Sequence, residues 1–162
     1  MVIMPLAAPA SASPEIAARQ RWMAILARAS HAETLNHLAD LPPLPAHTVL
    51  RGPEAGMVMV RGRAGGGGGP FNLGEMTVTR CTVRDADGRI GHATIAGREP
   101  RQCELAAQLD AILQDAAWHD RVESAVIAPL EAKQAATREE TARKAAATRV
   151  QFFTLTSMRS SA

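Results

Sequence analysis

A chain of 162 residues and 17.2 kDa has room for one domain, or for a small domain with helical arms. Hydrophobic residues make up 46% of it, which excludes a disordered chain, but 32 residues are alanine and only five are aromatic (two Trp, three Phe, no Tyr). Each large aromatic would bury roughly 150–250 Å², so the core is modest, and a modest core favours a subunit stabilised by partners over a self-sufficient enzyme. Eighteen Lys and Arg against 16 Asp and Glu leave a net charge of +2, which makes no general case for a nucleic-acid coat or a polybasic membrane anchor.

The opening Met1–Pro14 is apolar and Ala-rich but has no basic n-region and is interrupted by Pro5 and Pro9. It reads as a disordered tail, drawn through residue 18, and not as a signal peptide. No apolar run reaches the 18 or more residues of a membrane span. Helical structure starts with Ser13 as N-cap and Pro14 in the first helical position, and Trp22, Ile25, Leu26 and Ala29 recur at helical spacing. Ser30 and Glu33 have the spacing of a capping box and open a second short helix to about Asp40. Leu41-Pro42-Pro43-Leu44-Pro45 ends that helix as a stiff connector.

All 12 glycines lie between Gly52 and Gly97, whereas 26 of the 32 alanines lie outside residues 46–97. Glycine serves turns and alanine serves helices, so the order is helices, a β-rich centre, then helices. Strands are predicted at His47–Arg51, Gly56–Arg63, Leu73–Arg84 and Arg89–Ala96, with a flexible tip at Gly65–Gly69 and a turn at Asp85–Gly88. The fold class is therefore α+β, an antiparallel β-meander flanked by N-terminal and C-terminal helices. From Pro100, Leu105, Leu109, Ile112 and Ala116 mark an amphipathic helix ending near Trp118, and a further helical stretch from Arg121 should break or kink at Pro129. Glu131–Arg149 carries little but Ala and charge, with Glu139/Arg143 and Glu140/Lys144 spaced i,i+4. Phe152 and Phe153 stand close to the last residue, a placement that implies docking. The domains drawn from this are a tail over 1–18, an α+β core over 19–120, and a helical arm with a docking tail over 121–162.

The chemistry the residues support is limited. Gly65–Gly69 has no Gly-Lys-Ser/Thr and is not the spaced G-x-G-x-x-G of a dinucleotide fold. No Ser falls within residues 46–97, so the sheet carries no nucleophile elbow. No histidine has a partner histidine at i+3 or i+4. Cys81 and Cys103 match no C-x-x-C pattern and by themselves hold neither a four-ligand zinc nor an iron–sulfur cluster; their scarcity also points to the cytoplasm. Arg61 and Arg63 share one strand face, as do Arg80 and Arg84, and with Arg98 they are candidates for an anion-binding strip, since guanidinium groups match phosphate oxygens. The alternative is cross-strand pairing: with Arg63 opposite Leu73, Arg61 would face Glu75 in an ordinary ion pair. A nucleic-acid module on the same basic sheet lacks the surface aromatics that stack on bases.

Several stretches in register resemble one family. They are Arg19–Ala29 (RQRWMAILARA), Pro53–Val60 (PEAGMVMV), Phe71–Arg80 (FNLGEMTVTR), Asp87–Gly91, Ala96–Arg98, Glu104–Ala107 and Arg149–Thr154 (RVQFFT). Together they make the chain similar to the PhnG family, a subunit of the bacterial carbon–phosphorus lyase core complex. It departs from the family in its five-glycine run, in His92 where Tyr is common, and in Cys103 where Ala is common. The resemblance implies a subunit working with PhnH, PhnI and PhnJ, with PhnL needed for activity, and with neither nucleic acid nor membrane as partner. It implies transfer of the ribose 5-triphosphate part of ATP to an alkylphosphonate such as methylphosphonate, with release of adenine. The iron–sulfur cluster and S-adenosylmethionine are then expected on the PhnJ partner, and no cofactor or metal on this chain. It supplies no catalytic residue here. Arg61, Arg63, Glu75, Arg80 and Arg98 stand as candidate anion or interface residues, and Phe152 and Phe153 as interface residues.

Overall fold

The computed structural model describes residues 13–63 and 69–148. The tail 1–12, nearly all of the glycine tip, and Phe152 and Phe153 lie outside the described residues. The elements are α1 (Pro14–Leu26), α2 (His31–Leu38), β1 (His47–Gly62), β2 (Phe71–Asp85), β3 (Ile90–Ala96), α3 (Pro100–Ile112), α4 (Ala116–Val122), a π-type turn (Glu123–Ile127) and α5 (Ala128–Ala147). The strands form one antiparallel sheet in the order β1-β2-β3, a meander, with helices before and after it.

Local chemistry accounts for the helix ends. The Ser13 side chain accepts from the Ile16 N–H, and Pro14 follows in the first turn, where its missing N–H costs nothing. At Ser30 the capping box is complete: its hydroxyl accepts from the Glu33 N–H, while the Glu33 carboxylate accepts from the Ser30 N–H. Because α1 already begins at Pro14, residues 14–18 belong to a helix and not to a tail. Leu41 and Leu44 of the proline-rich connector pack against the core, and Gln108 holds the Pro45 carbonyl at 2.9 Å.

Three sequence expectations need correction. The two short strands drawn for 47–51 and 56–63 are one strand, β1, which shifts register between Arg51 and Glu54 instead of ending there. Gly52 makes the shift at φ +77°, where a Cβ would run into the Arg80 carbonyl. Glu75 pairs with Met59, and a further shift between Val60 and Arg61 puts Arg61 opposite Asn72, so Arg61 and Glu75 do not face each other. Thirdly, the first compact unit runs to Leu130 and the second begins at Glu131. The boundary is later than 120 because Val122, Val126, Ile127 and Leu130 are all buried in the core. Near Pro129 the helical run widens into the π-type turn, with the Ala128 N–H bonded to the Glu123 carbonyl. This turn lies immediately upstream, where the proline ring would crowd a regular helix.

The core lies on one face of the sheet. On β2 and β3, Thr79, Cys81 and Val83 alternate inward with Ala93 and Ile95, and α3 covers them with Leu105, Ala106, Leu109 and Ile112. Trp22, Ile25 and Leu26 of α1 join the same core. Helix and sheet approach closely at Gly91, where a Cβ would run into the Ala107 carbonyl. In the second unit, α5 carries the expected Glu140–Lys144 pair at 2.7 Å.

Candidate functional site

Four groups converge on one fully buried carboxylate. Asp110 of α3 accepts from Arg19 Nε at 3.1 Å and Nη2 at 2.7 Å, from Trp22 Nε1 at 2.9 Å, and from the His92 N–H at 2.9 Å. Arg19 also donates to the Ile90 carbonyl at 3.0 Å. One side chain thus fastens α1 and β3 to α3, and its oxygens have no lone pair left for a ligand. This is a structural knot that fixes the strand carrying His92.

On the opposite, outer face of β2, Arg80, Thr82 and Arg84 are polar, while Val78, next along the same face, is buried. Arg51, Arg80, Thr82, His92 and Thr94 line a shallow groove there, with Arg84 further along β2. Register explains the grouping: Arg80 pairs with Glu54 and Thr94, Thr82 with Arg51 and His92, and Arg84 with Thr48 and Ile90. Glu54 is engaged by Arg51, at 2.8 Å, and not by Arg80. Thr82 Oγ1 and His92 Nδ1 lie 3.1 Å apart. Arg80 and Arg84 have no carboxylate partner among the described residues. Such a face offers guanidinium, imidazole and hydroxyl groups to an anion, with Glu54 as the opposing charge.

The remaining candidates do not join this group. Arg61 and Glu75 sit exposed on the distal part of the β1–β2 hairpin, Arg63 follows β1, and Arg98 is exposed in the turn between β3 and α3. Of the groove residues, Arg51 was not legible as a neighbour of Arg80, because its register depends on the irregular stretch at Gly52; Thr82, His92 and Thr94 follow from the regular β2–β3 pairing but were not singled out.

Other titratable clusters serve the fold. Asp85 accepts from the Asp87 and Arg89 N–H groups and from the Arg89 guanidinium. Burial alone would raise the Asp85 carboxyl, but these bonds and the Arg89 charge outweigh it and hold the group below its ordinary value. Arg89 also reaches Asp87 and Asp115. Burial, reinforced by the neighbouring Cys81, pushes the Cys103 thiol up to about 12, and its Sγ faces the Thr79 and Ala93 carbonyls. Burial and then the Glu104 charge likewise raise Cys81. Neither thiol has the character of a nucleophile. Among the described residues no group of three or more His, Cys, Asp or Glu is placed to hold a metal ion, and no helix is long and apolar enough to cross a membrane.

Comparison with known proteins fits this arrangement. The family described as "Phosphonate metabolism protein PhnG" matches residues 17–158. A protein of Rhizobium meliloti (strain 1021), named alpha-D-ribose 1-methylphosphonate 5-triphosphate synthase subunit PhnG, is 44% identical over 152 residues, covering 92% of this chain and 95% of that protein. A match spanning both helical flanks and the whole sheet, at that identity, places the chain in the PhnG family.

Proposed function

We propose that this chain is a mainly architectural subunit of a synthase that transfers the ribose 5-triphosphate part of ATP to an alkylphosphonate, releasing adenine, in phosphonate catabolism. The observation that carries this reading is the 44% identity, over nearly the full length, to a protein named as a subunit of such a synthase. The fold agrees with the role, since its best-connected polar groups, Asp110 and Arg89, are consumed in holding elements together. The partners on this reading are PhnH, PhnI and PhnJ, with PhnL needed for activity, in the cytoplasm. The iron–sulfur cluster and S-adenosylmethionine belong to PhnJ, and Phe152 and Phe153 contribute to an interface. Coexpression with a tagged partner subunit tests it: the chain should copurify in fixed proportion, and its absence from the purified assembly would refute the subunit role.

A second reading rests on the outer face, where Arg80 lies beside His92 and Thr94 with no described carboxylate bound to it. On this reading the chain lends arginines directly to the triphosphate or the phosphonate. Arg80→Ala in the assembled complex separates the two. Substrate contact predicts a KM for ATP raised about tenfold or more in an intact complex, as charge-assisted hydrogen bonds are lost. An interface role predicts that subunit occupancy falls first and that activity follows it.

A further inference from the structure

We propose that the distal part of the β1–β2 hairpin, Gly56–Gly62 with Phe71–Thr77, is a docking arm that inserts between apolar surfaces of a different polypeptide; this rests on the subunit reading above. From Thr79 towards Asp85 the hairpin has α3 across one face. Beyond Thr77 large apolar side chains are exposed on both faces. Met57 is 67% exposed, Met59 51%, Leu73 58%, Phe71 48% and Met76 43%. By alternation Met57 and Met59 occupy one face, while Val58, Val60 and Met76 occupy the other. Arg61 and Glu75 are the only charged residues in the two segments.

A water-facing ribbon normally keeps one face polar, whereas here Arg61, Glu75 and Thr77 share their face with the exposed Met57 and Met59. Five large side chains, each about half exposed, offer about 500 Å² of apolar surface. That is close to the apolar share of one side of a standard interface, about 800 Å² per partner. The amount fits one specific heteromeric contact and falls short of the larger, core-like interfaces of obligate homodimers. The edge of the arm is also unguarded: β1 is an outer strand of the sheet, and Ala55–Val60 contains neither proline nor charge. A second copy pairing along β1 would cover that edge and leave both faces wet, whereas a cleft in another chain covers faces and edge together. Methionine suits such a seat, because its flexible thioether adapts to an irregular apolar wall.

The test uses the full chain coexpressed with the other synthase subunits, one of them tagged. Met57→Glu combined with Leu73→Glu should lower recovery of the chain with the tagged subunit about tenfold or more, while the thermal midpoint of the isolated chain stays unchanged. Ile16→Glu, at an exposed apolar site on α1, should leave recovery intact. Undiminished recovery of the arm variant overturns the arm, whereas failure of the wild-type chain to copurify overturns the subunit reading and the arm with it. Light scattering showing that the isolated wild-type chain is a dimer and the arm variant a monomer assigns the surface to a second copy and refutes the proposal. A readout without mutation is sulfoxide formation by hydrogen peroxide, which adds one oxygen to the thioether and leaves water. Met57 and Met59 should oxidise readily in the free chain and be protected in the complex; equal oxidation in both overturns the proposal.

Discussion

A carboxylate with no exposed surface survives in a fold only when its charge is matched, and Asp110 is matched by Arg19, the Trp22 indole and the His92 N–H. Asp110→Ala strands the guanidinium and two further donors, so it should cost about 3–5 kcal/mol, read as a fall in the urea midpoint of the isolated chain. A midpoint within experimental scatter of wild type would contradict the knot. Asp85 makes a smaller, pH-dependent contribution. Because folding holds its carboxyl below the ordinary 3.8, its stabilisation is fully present above that value and is lost as pH falls through the lower folded one. Asp85→Asn should therefore be less stable than wild type at neutral pH, and the difference should shrink in acid titrations followed by circular dichroism. Little of this was legible in the sequence. Arg19 and Asp110 are 91 residues apart, and nothing local marks either as the partner of the other. Asp85, by contrast, closes its bonds within four residues, inside a turn that Asp-Ala-Asp-Gly already announces.

Elements were legible in proportion to how local their causes are. The caps at Ser13 and Ser30 and the hairpin turn at Asp85–Gly88 depend on neighbours a few residues away and stand as read. The stripe of α3 holds through Leu105, Leu109 and Ile112, but the helix ends there instead of near Trp118, and the exposed Ala116 opens α4. Register across β1 and β2 was not legible, because three shifts intervene, at Val49/Arg51, Arg51/Glu54 and Val60/Arg61, and each moves every later pairing. The arm escaped notice for a related reason. Met57-Val58-Met59-Val60 has no alternation and reads as a buried strand, while the structure leaves it uncovered. The contact between β3 and α3 makes the sharpest prediction at this scale. Gly91 lets the Ala107 carbonyl come against the strand, so Gly91→Ala must push the helix away. Overpacking of this kind costs about 1–3 kcal/mol, seen as a lowered thermal midpoint; an unchanged midpoint would mean that the two elements are not held so closely.

At the scale of the whole molecule, the composition and the structure lead to the same place by different routes. Few aromatics imply a modest core, and the structure spends Trp22 in that core while leaving Phe71 on the surface of the arm. The three-stranded sheet packs one face against α3 and carries the polar groove of Arg51, Arg80, Thr82, His92 and Thr94 on the other. Family membership was legible because several motifs stand in register along the chain. The groove around Arg80 was not, since it is assembled from three strands.

The division of labour proposed for the synthase is tested most directly by following adenine release from ATP in the presence of methylphosphonate. The purified full-length chain is compared with the same chain supplied with its partner subunits. We expect no adenine from the chain alone and release once the partners are added. Adenine release by the single chain, abolished by substituting one of its own residues, would contradict the architectural role.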